Sequence, residues 1–405
     1  MTLEFDKVYM QVSEMGRSFA SRDSTTALLA QSVWDRFMAL NDNDAIWQKI
    51  MTARQHDAGF RGAGPLGEPL NEPFIAAYPL PVCPERATLL AADGSQVYPD
   101  LHASSLYYLT NIAVFVYHHG DLGALPEPIS EPQLYYQHDE LHERDGRIIA
   151  NAAVNARRSI FEMQFLARES LQRSELPRPL ISIADGPLLF WLGKEVSNAQ
   201  ELMGNYHEAF GVLNTIDANL VGYVDQPHSR FILSTVYLST LEDDAITRSN
   251  LMTIGDMEGM DDRFLMRHLL GPGERSALMI QQSPQNKAFR DLGDDREIVF
   301  FYVNMAASYQ EPYLARVEVP MWVAANPLAV DQVHALLYNQ CQIMDRYPYV
   351  LTRADECAVI RSYEKEALNE MIQVELFRHQ LPVEPSQKLT MKGVSRYGRQ
   401  QHQGV

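Results

Sequence analysis

The chain has 405 residues, of which 46% are hydrophobic, and its formal net charge at pH 7 is −18. This length and composition predict a globular protein with a large buried core, built as one elaborate domain or as two to three simple ones. The negative charge argues against a protein that coats itself in nucleic acid, because phosphate binding is driven by Lys and Arg. An acidic cleft that holds divalent cations is compatible with this charge.

The sequence also argues against secretion and membrane insertion. The first segment, "MTLEFDKVYMQVSE", has charges spaced through it, and we find no uninterrupted apolar run of about 18 residues or more. The three cysteines, Cys83, Cys341 and Cys357, are too few and too scattered for a disulfide framework. We therefore expect a cytoplasmic protein with no membrane contact.

The first part of the chain predicts helices followed by a linker. Residues 1 to about 56 repeat apolar residues at spacings of three and four, as in "TTALLAQSVWDRFMALND". The glycines and prolines of "GFRGAGPLGEPLNEPF" then break this pattern. We predict an N-terminal helical region with its linker over residues 1–84, a main domain over 85–385, and a basic, disordered tail over 386–405.

Strands and helices follow in the main domain. "ATLLAADGS" and "SSLYYLTNIAVFVYHHGD" predict paired strands, a long helix is expected from about Ile149 to Leu176, and "LISIADGPLLFW" predicts another buried strand. A helix near Ala199 to Ile216, a strand "NLVGYV" and a hairpin of "REIVFFYVNM" with "YLARVEVPMWVA" come next. The C-terminal part is helical on either side of a Tyr-Pro break. The pattern predicts an α/β fold with an N-terminal helical extension.

Two apolar strands run into the same tripeptide, Ala-Asp-Gly. In "LLAADGS" and "ISIADGP" the aspartates are Asp93 and Asp185, and we expect each strand to end there. If both strands are central and adjacent, the two carboxylates emerge together at one edge of the sheet and repel each other unless a cation neutralises them. Mg²⁺ and Mn²⁺ bind oxygen ligands of this kind and can activate water against a phosphodiester. The alternative is that each Asp-Gly pair only forms a turn.

Further acidic residues could join these two aspartates. Glu162 follows Arg158 by four residues on the long helix, which is the spacing of an exposed ion pair, although its apolar flanks also suit a ligand over the sheet edge. Glu169 lies on the same helix face and is the substitute candidate. Asp355 follows Thr352 by three residues, a spacing that fits a helix capping box as well as metal ligation.

With Asp93, Glu162, Asp185 and "YPYVL" in this order, the chain resembles the NurA family of DNA-end-processing nucleases. The resemblance spans roughly residues 86–376 and also rests on "VGYV", "FFYVN", "ARVEVPMWV" and "YPYVLTRAD". It implies an RNase H-like mixed sheet flanked by helices. The catalytic residues that it implies are Asp93, Glu162, Asp185, Tyr347 and Asp355, of which all but the tyrosine would bind metal.

The resemblance further implies a nuclease with one or two Mn²⁺ or Mg²⁺ ions per subunit, which trims 5′ ends and cuts single-stranded DNA. It implies a homodimer that docks on a HerA-type hexameric ATPase for DNA end resection in double-strand break repair. Asp355 stands where the family often has a histidine, and Asp225 where it commonly has a lysine. Because aspartate can bind a hard cation but cannot supply imidazole base chemistry, a catalytically weak or inactive scaffold subunit is the alternative. A metal-dependent phosphatase for small molecules is a third hypothesis.

Overall fold

A computed structural model describes residues 4–381, apart from residues 102, 104, 122, 144, 145, 194, 195, 197 and 310, and for residues 21–27 it describes the backbone alone. The predicted basic tail, residues 386–405, lies outside this part of the chain. Within it, no helix combines the length and the apolar character needed to cross a membrane.

The strands of the described residues differ in length, from two to twelve residues. They are β1 (Ala63–Pro65), β2 (Ala77–Tyr78), β3 (Ala87–Val97), β4 (Tyr108–His119), β5 (Glu127–Tyr135), β6 (Leu180–Asp185), β7 (Asn219–Asp225), β8 (Arg275–Ser276), β9 (Met279–Gln281), β10 (Ile298–Asn304) and β11 (Leu314–Pro320).

The α-helices of the described residues occur before, between and after these strands. They are α1 (Phe5–Met38), α2 (Asn43–Gln55), α3 (His138–Leu141), α4 (Asn151–Gln172), α5 (Ala199–Thr215), α6 (Phe231–Thr240), α7 (Arg263–Leu269), α8 (Pro284–Asp291), α9 (Met321–Ala324), α10 (Pro327–Ile343), α11 (Tyr349–Ala358) and α12 (Ser362–Arg378).

The described chain divides into two compact units that are interleaved in sequence. Unit 1 contains the residues up to Pro84 together with Gly186–Phe190 and Asn219–Pro348. Unit 2 contains Glu85–Asp185, Trp191–Ala218 and the residues from Tyr349 onwards. The domain boundaries that we expect from the sequence stay predictions.

Unit 2 is a mixed sheet with helices packed against it. Its strand order is β6-β3-β4-β5, in which β3 and β6 are parallel and the other neighbours are antiparallel. The central strand β3 is buried from Ala87 to Ala92, and most of β6 is buried as well, as their apolar runs predict. Helix α4 contacts β3, β4 and β6, and helix α11 contacts β3, β4 and β5.

Unit 1 contains an antiparallel sheet in the order β1-β9-β10-β11-β7. Strand β8 also pairs with β10, and β2 pairs with β8. Every residue of β10 and β11 is buried, and the two strands form the hairpin predicted from their β-branched and aromatic residues. Apolar residues of α1, α2, α6 and α7 pack with this sheet into one core that includes Phe37, Ile50, Leu265 and Phe300. Burial of these side chains from water stabilises the unit.

The structure confirms the predicted α/β class, a mixed sheet flanked by helices with an N-terminal helical extension. One expectation is wrong. Strand β3 does not end at Asp93, because the chain stays paired with β4 from Asp93, opposite Ala113, to Val97, opposite Leu109. The Asp-Gly pair at this position therefore forms no turn, whereas β6 does end at Asp185.

Candidate active site

Asp93 on β3 and Asp185 on β6 occupy equivalent positions on two neighbouring strands. The parallel pairing of β3 with β6 runs from Thr88, opposite Leu180, to Ala92, opposite Ala184. The two aspartates are the next residue on each strand. The pKa of Asp93 is raised to about 6, mainly by burial and also by the charges of Asp185 and Asp355, against the effects of a hydrogen bond from the Gly94 N–H and of the charge of Arg158.

Successive residues of β3 around Asp93 face different helices, α11 on one side of the sheet and α4 on the other. The Ser95 hydroxyl donates a hydrogen bond to the carbonyl oxygen of Ala358, the last residue of α11. Gly94 faces α4 instead, since a Cβ atom added to it would lie 2.5 Å from Oε1 of Glu162. Because successive residues of a strand point to opposite faces, Asp93 shares the face of Ser95 and α11. Glu162 approaches β3 from the opposite face.

Glu162 is a half-buried residue, 17% exposed, whose Oε1 is buried and lacks a hydrogen-bond donor among the described residues. Its Oε1 lies 3.1 Å from Nε of Arg158, but the two are not aligned as a hydrogen bond, and among the described residues this oxygen accepts none. The pKa of Glu162 is raised to about 8, mainly by burial, against the charge of Arg158, while the charges of Asp93 and Asp185 add to the rise. The charge of this carboxylate is therefore only partly compensated within the described part of the chain.

Arg158 brings the positive charge of this site. Its Nη1 donates a hydrogen bond of 2.8 Å to the carbonyl oxygen of Gly94, so the guanidinium joins α4 to the backbone of β3. The side chain is 28% exposed, although its Nε is buried. The i,i+4 spacing predicted an ion pair with Glu162, and the contact with Gly94 was not foreseen from the sequence.

Glu169, the substitute candidate on the same helix, is already paired. It is 5% exposed, and its Oε2 lies 2.8 Å from Nη1 of Arg173, while Oε1 lies 3.3 Å from Nε of Arg168. Two arginines thus satisfy this carboxylate. The glutamate of α4 whose charge is coupled to Asp93 and Asp185 is Glu162.

Asp355 and Tyr347 lie on either side of the start of α11. Asp355 is exposed on the helix, and its charge raises the pKa of Asp93. The helix begins at Tyr349, so Thr352 lies inside it, and the capping-box interpretation of Thr352 and Asp355 is wrong. In unit 1, Tyr347 packs its half-buried ring on Tyr223, with the centroids 5.6 Å apart and the planes at 88°.

The four carboxylates of unit 2 are the residues that could hold a divalent cation. As placed, no three His, Cys, Asp or Glu side chains of the described chain form a group that could hold an ion. The donor set nevertheless fits Mg²⁺ or Mn²⁺, because it offers carboxylate oxygens and includes the buried, unsatisfied Oε1 of Glu162. Raised pKa values at Asp93 and Glu162 also mark a place where a cation would stabilise the ionised forms.

Gly94 is a residue of this site that the sequence analysis missed. A Cβ atom at this position would also lie 2.7 Å from Cδ1 of Ile112 on β4, so a larger residue here would require the ends of the Glu162 and Ile112 side chains to shift. The signal in the sequence is the glycine after Asp93, which the local pattern predicts as a turn residue.

The NurA domain model matches residues 87–360, a range that includes all of the predicted site residues and more than half of the chain. The chain belongs to the NurA family. Its fold resembles the NurA nuclease from Sulfolobus solfataricus, with a TM-score of 0.52 and 11% sequence identity over 94% of this chain and 98% of that chain. The predicted resemblance to NurA nucleases is confirmed.

Two other solved structures resemble the chain more weakly. A NurA bound to dAMP and manganese has a TM-score of 0.35 and 11% identity, over 85% of this chain and 94% of that one. An endonuclease V from Ciona intestinalis in complex with inosine-containing DNA has a TM-score of 0.28 and 10% identity, over 82% and 99% of the two chains. No curated protein matches the sequence.

Proposed function

We propose that this protein is a divalent-metal-dependent DNA nuclease that hydrolyses phosphodiester bonds at the carboxylates of unit 2. Asp93, Glu162, Asp185 and Asp355 hold one or two Mn²⁺ or Mg²⁺ ions per subunit. The observation that carries the proposal is the parallel register that puts Asp93 and Asp185 directly after the paired residues Ala92 and Ala184. Membership of a nuclease family supports the same chemistry.

The residues of the site have different roles in the proposed hydrolysis. A bound divalent cation lowers the pKa of water and offsets charge on the reacting phosphate. The four carboxylates supply its oxygen ligands, and the guanidinium of Arg158, on a partly exposed side chain, can donate hydrogen bonds to phosphate oxygens. Asp355 is assigned as a ligand, because carboxylate oxygens bind hard divalent cations, whereas an ionised carboxylate has no proton to donate as an imidazolium does. Tyr347 is a proposed catalytic residue on the family pattern alone.

The family pattern also supports the finer parts of the proposal. The protein trims DNA in the 5′ to 3′ direction and cuts single strands, and it acts in the cytoplasm during end resection in double-strand break repair. It works as a homodimer bound to a HerA-type hexameric ATPase. A DNA-translocating partner explains how a protein with a net charge of −18 receives its substrate.

The test is degradation of 5′-labelled single-stranded and duplex DNA with and without Mn²⁺. We expect Mn²⁺ to be required, and Asp93→Asn or Asp185→Asn to lower the rate at least about 100-fold, equivalent to about 2.7 kcal/mol of transition-state stabilisation. Glu370→Gln, at an exposed position of α12, is the control and keeps full activity. Unchanged activity of both aspartate variants, with circular dichroism showing a native fold, contradicts the proposal.

A second candidate is an inactive scaffold subunit of the translocase complex. Two observations favour it: Asp355 in place of the family histidine, and the lack, in the described part, of three carboxylates grouped closely enough to hold an ion. DNA processing by the whole complex separates the two candidates. If the complex assembled with Asp93→Asn processes DNA at the native rate, the scaffold is correct.

A further inference from the structure

Unit 1 contains a large cavity with a basic lining, apart from the carboxylates of unit 2. Its volume is about 1060 Å³. Two acidic residues, Asp57 and Glu297, line it, against six basic ones: Arg54, Arg61, Arg230, Arg248, Lys287 and Arg290. In a chain with a net charge of −18, this is a local concentration of positive charge.

The basic residues come from separate segments that the fold of unit 1 brings together. Arg54 belongs to the last turn of α2, and Arg61 precedes β1. Arg248 lies between α6 and α7, whereas Lys287 and Arg290 belong to α8. Because like charges repel, such a convergence costs free energy unless acidic side chains or a bound anion compensate it.

Only two of these six basic side chains have an acidic partner in the described chain. Arg230 pairs with Glu258 at 2.7 Å, and Arg290 lies 3.6 Å from Glu297. By contrast, the side chains of Arg61, Arg248 and Lys287 make no hydrogen bond or ion pair with any described residue. These three exposed side chains are available to a ligand.

Arg54 shows the electrostatic consequence of the crowding. Its Nη2 donates a hydrogen bond of 2.5 Å to the amide oxygen of Gln282, a neutral partner. Burial of the guanidinium lowers the pKa of Arg54, and the charge of Arg290 lowers it further, with Glu297 acting in the opposite sense. A phosphate in the cavity would relieve this repulsion.

Aromatic rings line the same cavity. Phe60, Phe231 and Tyr237 are half-buried lining residues. The ring of Phe231 is held by Phe300, with the centroids 5.5 Å apart, and by the guanidinium of Arg316, 5.0 Å from its centroid. Fixed rings beside basic side chains are typical of proteins that bind single-stranded nucleic acid, since every unpaired base offers a face for stacking.

We propose that this cavity binds a short segment of single-stranded DNA, with Arg61, Arg248 and Lys287 contacting its phosphates and the aromatic rings stacking on its bases. The inference rests on the proposed function, because it gives the nuclease a second DNA contact in unit 1. The cavity volume of about 1060 Å³ lies at the upper limit of the range of roughly 300–1000 Å³ for small-molecule pockets, which leaves room for more than one nucleotide. Paired bases present no free face, which disfavours a duplex.

The experiment is fluorescence anisotropy of a labelled oligothymidylate of roughly 12 nucleotides, titrated with the full-length protein in EDTA so that no hydrolysis occurs. The test variant carries Arg61→Gln, Arg248→Gln and Lys287→Gln. The control variant carries Arg17→Gln, Arg267→Gln and Lys365→Gln, three exposed changes outside the cavity that alter the net charge equally. Circular dichroism and thermal unfolding check that both variants fold.

We expect the cavity variant to bind at least about tenfold more weakly, and its slope of log K against log salt to be shallower by about 2, since each lost phosphate contact contributes about 0.7. The control variant should bind nearly as the native protein does. Equal weakening in both variants, or native affinity in the cavity variant, overturns the proposal.

A second variant, Tyr237→Leu, tests the stacking. It should weaken binding of the oligothymidylate by roughly 5- to 100-fold and leave binding of an abasic strand of equal length unchanged. Equal loss for both strands overturns the assignment of the ring. Displacement of the oligothymidylate by dAMP at equal nucleotide concentration would show a free-nucleotide site instead.

The outcome is separable from the proposed function. If Asp93→Asn retains hydrolysis, the carboxylate mechanism fails, whereas the affinity difference between the two triple variants is unaffected. If the triple variants bind alike while Asp93→Asn abolishes hydrolysis, the cavity proposal alone fails.

Discussion

Asp93 and Asp185 each follow the last paired residue of two parallel strands, Ala92 of β3 and Ala184 of β6. Neighbouring strands lie about 4.8 Å apart, so this register brings two carboxylates from positions far apart in sequence to the same level of one sheet. Their repulsion adds to the effect of burial on the pKa of Asp93, which rises to about 6.

Substitution of Glu162 should impair hydrolysis, whereas substitution of Glu169 should lower the stability of the protein. Glu162→Gln removes a carboxylate that is coupled to the aspartates, so we expect a large loss of Mn²⁺-dependent hydrolysis with no loss of stability. Glu169→Gln removes the partner of Arg173, which keeps its contact of 2.7 Å with Glu127, so we expect about 1–3 kcal/mol of destabilisation. Urea unfolding and DNA degradation measure both effects, and the reverse pattern would assign the helical ligand to Glu169.

The stability of the metal-free protein should depend on pH through Glu162. Its pKa is raised from 4.5 to about 8 on folding, so between these values the folded state keeps a proton that the unfolded state has released. Stability therefore falls as pH rises through this window, by up to roughly 1.4 kcal/mol per pH unit. Asp93, raised from 3.8 to about 6, adds a fall of the same sign at lower pH.

Glu162→Gln isolates this contribution. We expect the difference in unfolding free energy between the native protein and this variant to decrease steadily from about pH 5 to about pH 8, as urea titrations in EDTA would show. Glu370→Gln, an exposed change, should leave the pH dependence as it is. A difference that does not vary with pH would mean that Glu162 is ionised in the folded protein throughout the window.

Gly94→Ala should damage the site through Glu162. The new methyl group would lie 2.5 Å from Oε1 of Glu162 and 2.7 Å from Cδ1 of Ile112, closer than side-chain contacts allow. We expect destabilisation of about 1–3 kcal/mol and weaker Mn²⁺ binding, as calorimetry would show. Gly204→Ala on α5, where a Cβ atom meets no other atom within 4 Å, is the matched control and should bind Mn²⁺ normally. Native Mn²⁺ affinity in Gly94→Ala would separate Glu162 from the metal site.

Arg158→Leu should strengthen Mn²⁺ binding while slowing DNA cleavage. The guanidinium lies 3.1 Å from Oε1 of Glu162 and competes there with a cation, so we expect the dissociation constant for Mn²⁺ to fall about fivefold or more. Arg157→Leu, whose side chain contacts the carbonyl of Glu140 at 3.0 Å, serves as the control. Weaker Mn²⁺ binding after Arg158→Leu would show instead that this residue holds Glu162 in place.

Local sequence patterns were enough to predict the elements that carry the site. Apolar runs predicted β3 and β6 as buried strands. The spacing of apolar residues predicted the helix that the structure shows as α4, Asn151–Gln172. These signals are reliable because each strand or helix buries its own apolar face. The order of Asp93, Glu162 and Asp185 along these elements was visible for the same reason.

The features that the sequence analysis missed depend on contacts between distant residues. Asp93-Gly94 has the local character of a turn, but pairing with β4 and the approach of Glu162 keep it in a strand. Glu162 and Glu169 share a helix face, and only the positions of the arginines tell them apart. The periodicity of the sequence cannot predict the basic cavity of unit 1, because its charged residues come from segments that are far apart in the chain.

The most direct test is the position of Mn²⁺ in crystals soaked with the ion, located by anomalous scattering. The account predicts a peak bound by the carboxylates of both Asp93 and Asp185, with Glu162 as a further ligand. Mn²⁺ found only at other residues, in crystals of a protein that degrades DNA in solution, would contradict it.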